Sequence, residues 1–278
     1  MPEGPEVKTI VDGLEKELHG AILKNIIFES SGTSGKYRDK VPERFRQFEE
    51  QLPVKIENVK CKGKFIYFEF YSSKELIHFY MGNSLGMTGV WKKKDGKEKH
   101  LCMTLDTNKG IFEFVDQRHF GCIHFFLDHP SLEKKLNTIG PDFLNSHISE
   151  KSFIEIYRKK EKKNIVLALM DQSLVSGIGN YIKSEVLYRA RISPHRTIGD
   201  LDNEELSKLY RAIGKVMESS YKHDGMSQEN YVTLEGEKGE YVNYLQVYRK
   251  KKDPKGNTVV QEKTKDKRTT FWVPVLQK

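Results

Sequence analysis

Near Pro130 the apolar residues of this chain change period, and that change limits the fold more than any other feature. Upstream, runs at 21–28, 54–60, 65–71, 76–81, 100–105, 111–115 and 123–127 are β-branched or aromatic and are separated by Gly, Asn and Asp. This is the pattern of short strands in a sandwich or barrel. Within 65–70 the alternation puts Ile66, Phe68 and Phe70 on one side. Downstream, 131–149 reads as a linker, and 153–157, 164–170, 181–190 and 203–221 carry helical spacing. Ser152-Phe153-Ile154-Glu155 matches a capping box opening the first of these helices. The C-terminal stretch returns to strands at 242–248, 258–262 and 269–275, joined by basic turns. The expected fold class is therefore α+β and multidomain: a β domain, a linker, helices and a terminal β-hairpin. A length of 278 residues agrees with two domains or more.

Ahead of the strands, Val7, Ile10, Val11, Leu14 and Leu18 recur at helical spacing until Gly20 stops the run. Gly4 suits an N-cap, Pro5 the first helical position, and Glu6 the positive end of the helix dipole. A short helix is expected at 42–50, after a polar loop containing Gly32 and Gly35. The same N-terminus has a chemical reading. Removal of Met1 leaves Pro2 as a free secondary amine beside Glu3 and Glu6. At pH 7 about 10% of an α-amino group is neutral, against about 0.04% of a lysine. A neutral amine attacks an aldehyde-level carbon, and a secondary amine condenses to an iminium, an electron sink that drives elimination. On these residues alone the capped helix and the nucleophile both stand.

Lys+Arg 47 against Asp+Glu 39 leaves a net charge of +8, which suits a polyanionic partner. Lysine-rich runs at 92–94, 159–163 and 249–252 carry much of the excess, although such runs are commonly solvated faces. No apolar run reaches membrane-span length and no charged-then-apolar leader marks a secretory signal. The expectation is an intracellular protein, nuclear or cytoplasmic, that is neither secreted nor membrane-bound. Cys61, Cys102 and Cys122 are scattered, without a CxxC pair, so neither disulfides nor a thiolate zinc site is indicated.

Three loops carry chemistry. Gln172-Ser173-Leu174-Val175-Ser176-Gly177-Ile178-Gly179-Asn180 ends at a helix start, where unpaired N–H groups and the dipole would bind a phosphate. Gly177 and Gly179 would let a nucleic-acid backbone approach, and Asn180 would cap the helix or donate to a phosphate; an ordinary helix–helix turn is the alternative. Leu85-Gly86-Met87-Thr88-Gly89 and Asp116-Gln117-Arg118-His119-Phe120-Gly121 are glycine-framed loops after strands. Met87, Arg118 and Phe120 are the residue types that fill a base stack after a nucleotide is extracted. Loop hydrophobes folded back into the core are the alternative there.

Taken in order, these segments resemble the formamidopyrimidine-DNA glycosylase/endonuclease VIII family of DNA repair enzymes. Residues 2–6 resemble its endonuclease VIII branch, and Lys62-Gly63-Lys64 matches its lysine-bearing β turn, with Lys64 in the lysine's place. Leu85–Gly89 and Arg118–Gly121 match its intercalation loops, and Ile139-Gly140-Pro141-Asp142 its connector. The stretch 169–180 with Ser184-Glu185 matches its helix–two-turn–helix element. Most members hold zinc with four cysteines in the terminal hairpin, but this chain has no cysteine beyond Cys122. Lys267-Arg268-Thr269-Thr270-Phe271 keeps the position of the family's DNA-contacting arginine, an arrangement similar to the zincless finger of endonuclease VIII-like 1.

The resemblance implies an N-terminal catalytic β-sandwich domain at 1–130, a linker at 131–149, a helix–two-turn–helix DNA-binding domain at 150–240 and a zincless finger at 241–278. It implies a bifunctional DNA glycosylase/apurinic-apyrimidinic lyase in which Pro2 attacks the sugar C1′ of a flipped, oxidised nucleotide. Glu3 protonates the ring oxygen, Glu6 positions the sugar or the amine, and β and δ eliminations cut the strand. Lys64, Asn180 and Arg268 bind flanking phosphates, and Met87, Arg118 and Phe120 fill the void. Val259, Phe271 and Trp272 would hold the finger by apolar packing. No cofactor and no metal are expected, and His119, Cys122 and His124 are rejected as a metal site. The expected partner is damaged double- or single-stranded DNA, bound by a monomer. Gly4 and the missing cysteines favour oxidised pyrimidines such as thymine glycol and dihydrouracil. An 8-oxoguanine- or formamidopyrimidine-directed enzyme and a catalytically silent nucleic-acid-binding protein are the alternatives.

Overall fold

The computed structural model describes residues 1–28, 41–146, 148–226, 234 and 236–278. The polar loop of Gly32 and Gly35 lies outside these residues. Two compact units are formed, one of Met1–Pro2, Glu6–Thr138 and Met226–Gly239, the other of Glu3–Pro5, Ile139–Gly225 and Glu240–Lys278.

In chain order the first unit has helix α1 (Gly4–Leu18, its start counted with the second unit), strand β1 (Ile22–Phe28) and helix α2 (Phe45–Glu49). There follow β2 (Val54–Lys62), β3 (Phe65–Ser72), β4 (Ile77–Ser84), β5 (Gly89–Lys93), β6 (Leu101–Thr107), β7 (Gly110–Asp116), β8 (Cys122–Phe126) and helix α3 (His129–Leu136). The strands are antiparallel in the order β5-β7-β6-β1-β2-β3-β4-β8. Trp91 of β5 and Phe68 of β3 are far apart in that order, yet their ring centroids are 5.4 Å apart. The sheet therefore folds back on itself as a sandwich, and Trp91 Nε1 donates across it to Asn83 Oδ1 at 3.0 Å. Ile66, Phe68 and Phe70 all face the core, as the alternation requires. So does the predicted stripe of α1: Val7, Ile10, Val11, Leu14 and Leu18. Strand β5 escaped the sequence reading because its single large apolar residue, Trp91, leaves no alternation to see.

The expected linker begins as a helix. Asp128 caps α3 by accepting from Ser131 N at 2.7 Å, and Pro130 sits in the first turn, where its missing N–H costs nothing.

The second unit contains α4 (Glu150–Arg158), α5 (Ile165–Met170), α6 (Asn180–Ala190), α7 (Asn203–Lys222) and the hairpin β9 (Val260–Lys263) and β10 (Thr269–Trp272). Helix α4 opens a turn earlier than Ser152, because Ser149 accepts from Ser152 N at 3.2 Å and is the actual cap. Asn164 caps α5, and Asp202 with Glu205 forms the capping box of α7.

The strand expected at 242–248 is absent. Residues Tyr241–Tyr244 form a single 3₁₀ turn, and the amides of Gln246, Val247 and Tyr248 donate to the buried Glu185 carboxylate at 2.9–3.0 Å. A side-chain carboxylate takes the donors a ladder would have used. The hairpin pairs Thr269 with Lys263 through Trp272 with Val260. Val259 and Phe271 are buried, and the Phe271 ring lies 4.9 Å from that of Tyr248.

Candidate active site

Helix α6 starts directly after Gly179, and its first amides have no partner within the helix. The Glu3 carboxylate, 3% exposed, takes two of them: Tyr181 N donates to Oε1 at 3.0 Å and Ile182 N to Oε2 at 3.3 Å. An acid thus sits on the positive end of α6. The donors that the sequence pattern assigns to a phosphate belong here to Glu3. Gly179 shows why, since a Cβ at this position would lie 2.2 Å from Glu3 Cδ. This glycine makes room for a side chain of the protein. Gly177 has φ +91°, accepts from Gly4 N at 2.8 Å and donates to Gln172 Oε1 at 3.0 Å. A Cβ on Gly4 would meet Met217 Cε at 2.9 Å and Gly177 Cα at 3.0 Å, so packing against this turn accounts for Gly4.

Pro2 is buried and one peptide bond from Glu3. Glu6, also buried, accepts from Met226 N at 2.7 Å. Lys64 occupies the second place of a two-residue turn between β2 and β3, whose ends pair as Lys62 with Phe65. Gly63 precedes it with φ +59°, the conformation that the first position of a II′ hairpin turn demands.

The two glycine-framed loops share one buried carboxylate. Asp116 Oδ1 accepts from Thr88 Oγ1 at 2.5 Å and Arg118 N at 3.2 Å, while Oδ2 accepts from Gly121 N at 2.7 Å. Thr88 Oγ1 also accepts from Arg118 N at 3.0 Å. Gly86, at φ +62°, brings the loops so close that a Cβ would fall 2.7 Å from Gly121 N. Above this clasp Arg118 is exposed, Phe120 is 54% exposed, and the guanidinium carbon lies 4.7 Å from the ring centroid. Neither residue folds back into the core; Met87 is half-buried.

In the hairpin turn Arg268 is exposed and Lys267 has φ +59°. Asp266 Oδ1 accepts from Arg268 N at 3.3 Å and Thr264 Oγ1 at 2.7 Å, and Oδ2 accepts from Lys183 Nζ at 2.6 Å. The Lys183 side chain is fully buried. Burial pushes its ammonium below the ordinary lysine value, and the bond to Asp266 only partly restores it. Asn180 Nδ2 donates to Thr269 O at 3.0 Å, while its buried Oδ1 has no hydrogen-bond partner among the described residues. Asn180 is thus the first residue of α6 and a tie to β10, not the cap.

Asp116, Thr88, Lys183, Asp266 and Glu185 organise these elements, and composition and spacing did not single out their roles. One signal was present: Asp116-Gln117-Arg118 and Asp266-Lys267-Arg268 repeat an acid two residues before an exposed arginine. Among the described residues no three His, Cys, Asp or Glu side chains group as a metal site would require.

Models of the formamidopyrimidine-DNA glycosylase N-terminal, H2TH and C-terminal domains match residues 1–123, 139–231 and 240–278. A formamidopyrimidine-DNA glycosylase of Acidiphilium cryptum is 31% identical over 89% of this chain and 86% of its own. One of Desulfitobacterium hafniense is 29% identical over 98% of both. The crystal structure of a mutant Lactococcus lactis Fpg with Fapy-dG containing DNA covers 100% of both chains, with a TM-score of 0.85 and 28% identity. A sandwich, a helix–two-turn–helix unit and a terminal hairpin define a DNA glycosylase with apurinic/apyrimidinic lyase activity, an enzyme of base excision repair. The chain belongs to the formamidopyrimidine-DNA glycosylase family. These relatives carry the formamidopyrimidine name, not that of endonuclease VIII-like 1.

Proposed function

We propose that the chain excises ring-opened and oxidised purines of the formamidopyrimidine and 8-oxoguanine type from DNA and then cuts the strand. The single observation that carries this reading is the end-to-end similarity to relatives named for formamidopyrimidine, the ring-opened purine. In it, the Pro2 amine, exposed by loss of Met1, attacks C1′ while Glu3 protonates the sugar ring oxygen. The departing base leaves an iminium whose charge acidifies the neighbouring sugar hydrogens, and β and δ eliminations follow. The seat of Glu3 on the α6 amides supports its placement, since it fixes the carboxyl of the residue next to the nucleophile. Glu6 shapes the surroundings of the amine. Lys64, Asn180 and Arg268 bind phosphates, which positions the strand without reading it. Met87, Arg118 and Phe120 occupy the vacated stack, a role that the exposure of the last two supports.

A preference for oxidised pyrimidines is the second reading, favoured by the cysteine-free hairpin. Gly4 no longer speaks for it, because packing explains that residue. Borohydride trapping of Met1-free protein tests the shared chemistry, with a covalent adduct on abasic and Fapy-dG duplexes as the expected result. Absence of adduct on both sinks the Schiff-base mechanism. Single-turnover excision of Fapy-dG and 8-oxoguanine against thymine glycol then separates the two substrate readings.

A further inference from the structure

We propose that Lys183 is a positioning residue for DNA binding: its buried ion pair with Asp266 fixes the turn that presents Arg268. The proposal rests on the reading of Arg268 as a phosphate ligand. A two-stranded hairpin is marginal by itself, and this one contains no cysteine to tie it. Helix α6 provides the tie. Asn180, Lys183, Ser184 and Tyr188 follow its period along one face. They reach Thr269 O, the Asp266 carboxylate, Phe271 N and the Asp253 carboxylate, at 3.0, 2.6, 3.3 and 3.0 Å.

Of these four ties only that of Lys183 is ionic. A lysine buried three residues into a helix is costly to desolvate, and packing alone would be served by a methionine of similar length. What the charge adds is direction. Asp266 is held by one oxygen to Lys183 and by the other accepts Arg268 N and Thr264 Oγ1. Lys183 therefore controls the main chain at Arg268 through one carboxylate. The helix that seats Glu3 by its amides thus also sets the arginine of the finger, so both take their position from α6.

The test is a double-mutant cycle on abasic-site duplex, with the Met1-free protein and separate kcat and KM. Arg268→Ala is expected to raise KM about tenfold with kcat nearly unchanged, and Lys183→Met to do the same. Lys183→Arg should restore most of the loss, and Lys183→Met combined with Arg268→Ala should equal Arg268→Ala alone. A merely structural lysine would weaken binding equally in both backgrounds, and that additivity overturns the proposal while leaving the Arg268 reading intact. An Arg268→Ala enzyme with unchanged KM overturns both. Asp266→Asn, which keeps the shape and removes the charge, runs the same cycle should Lys183→Met fail to fold.

Discussion

Asp116 lies two residues before Arg118 in the first unit, and Asp266 two residues before Arg268 in the second; each carboxylate accepts the arginine's amide, at 3.2 and 3.3 Å. Each turn also contains a non-glycine residue in the left-handed region, His119 at φ +54° and Lys267 at φ +59°. The difference lies in the remaining partners. Asp116 receives neutral donors, the Thr88 hydroxyl and the Gly121 amide. Asp266 also receives a hydroxyl, that of Thr264, but where Asp116 has a second amide it has the Lys183 ammonium. Asp116 stands at the end of β7 in an eight-stranded sheet, where a second loop is close enough to supply dipoles. Asp266 stands in the turn of a two-stranded hairpin, and a long side chain from a helix reaches it. The same local device is completed by dipoles where the framework is dense and by a charge where it is sparse.

The comparison breaks most visibly at Asp116. Asp116→Ala removes the acceptor of three donors at a site without solvent, a cost of about 3–4 kcal/mol. The melting temperature of the first unit should fall by about 8 °C, and trapping should fall with it because both glycine-framed loops lose their clasp. A shift of under about 2 °C would mean that the loops are held by packing, not by the carboxylate. Lys183→Met should cost about 3 kcal/mol through the stranded Asp266 charge. Adding Asp266→Asn should recover part of that in a melt of the double variant, a rescue that Asp116, with its neutral partners, cannot show. Gly86→Ala should cost about 2 kcal/mol, since it combines φ +62° with a Cβ 2.7 Å from Gly121 N. The check is a melt together with kcat/KM, and both should drop.

The parts legible in the sequence were those written as period. The buried face of α1 and the face of β3 lie in residues within a few positions of one another, whereas the capping box read at Ser152 belongs to Ser149. The unreadable parts were partnerships across long separations. Residues 242–248 look like a strand because their apolar and aromatic residues suit one, yet Glu185 claims their amides from far along the chain. Gly179 looks like an opening for a ligand, and only the fold reveals that Glu3 fills it. Of the candidate site, residue types and turns were readable, including Lys64 behind Gly63 and the exposed Arg118 and Phe120. The carboxylates that hold them were not, because an acid two residues before an arginine means little until its burial is known.

Asp253 sharpens the comparison with the smallest effect. It belongs to the second unit, yet its partners are neutral like those of Asp116: Lys255 N, Asn257 N, the Asn257 amide and the Tyr188 hydroxyl, at 2.8–3.0 Å. Burial alone would push this carboxyl up. The Asn257 side chain and amide, then Tyr188 and Lys255, outweigh burial and hold it below the ordinary carboxylate range. A depressed folded-state value means that its stabilisation is complete above the unfolded value near about 3.9 and disappears as pH falls through the folded one. Asp253→Asn should therefore melt about 2 °C below the parent from pH 7 to 5, and the gap should close as the pH falls from about 4 toward 2. A gap that persists unchanged in acid would show that Asp253 acts through shape alone. Dipoles would then not hold a turn in the second unit as they do at Asp116, and the division between dense and sparse frameworks would be stricter than these turns suggest.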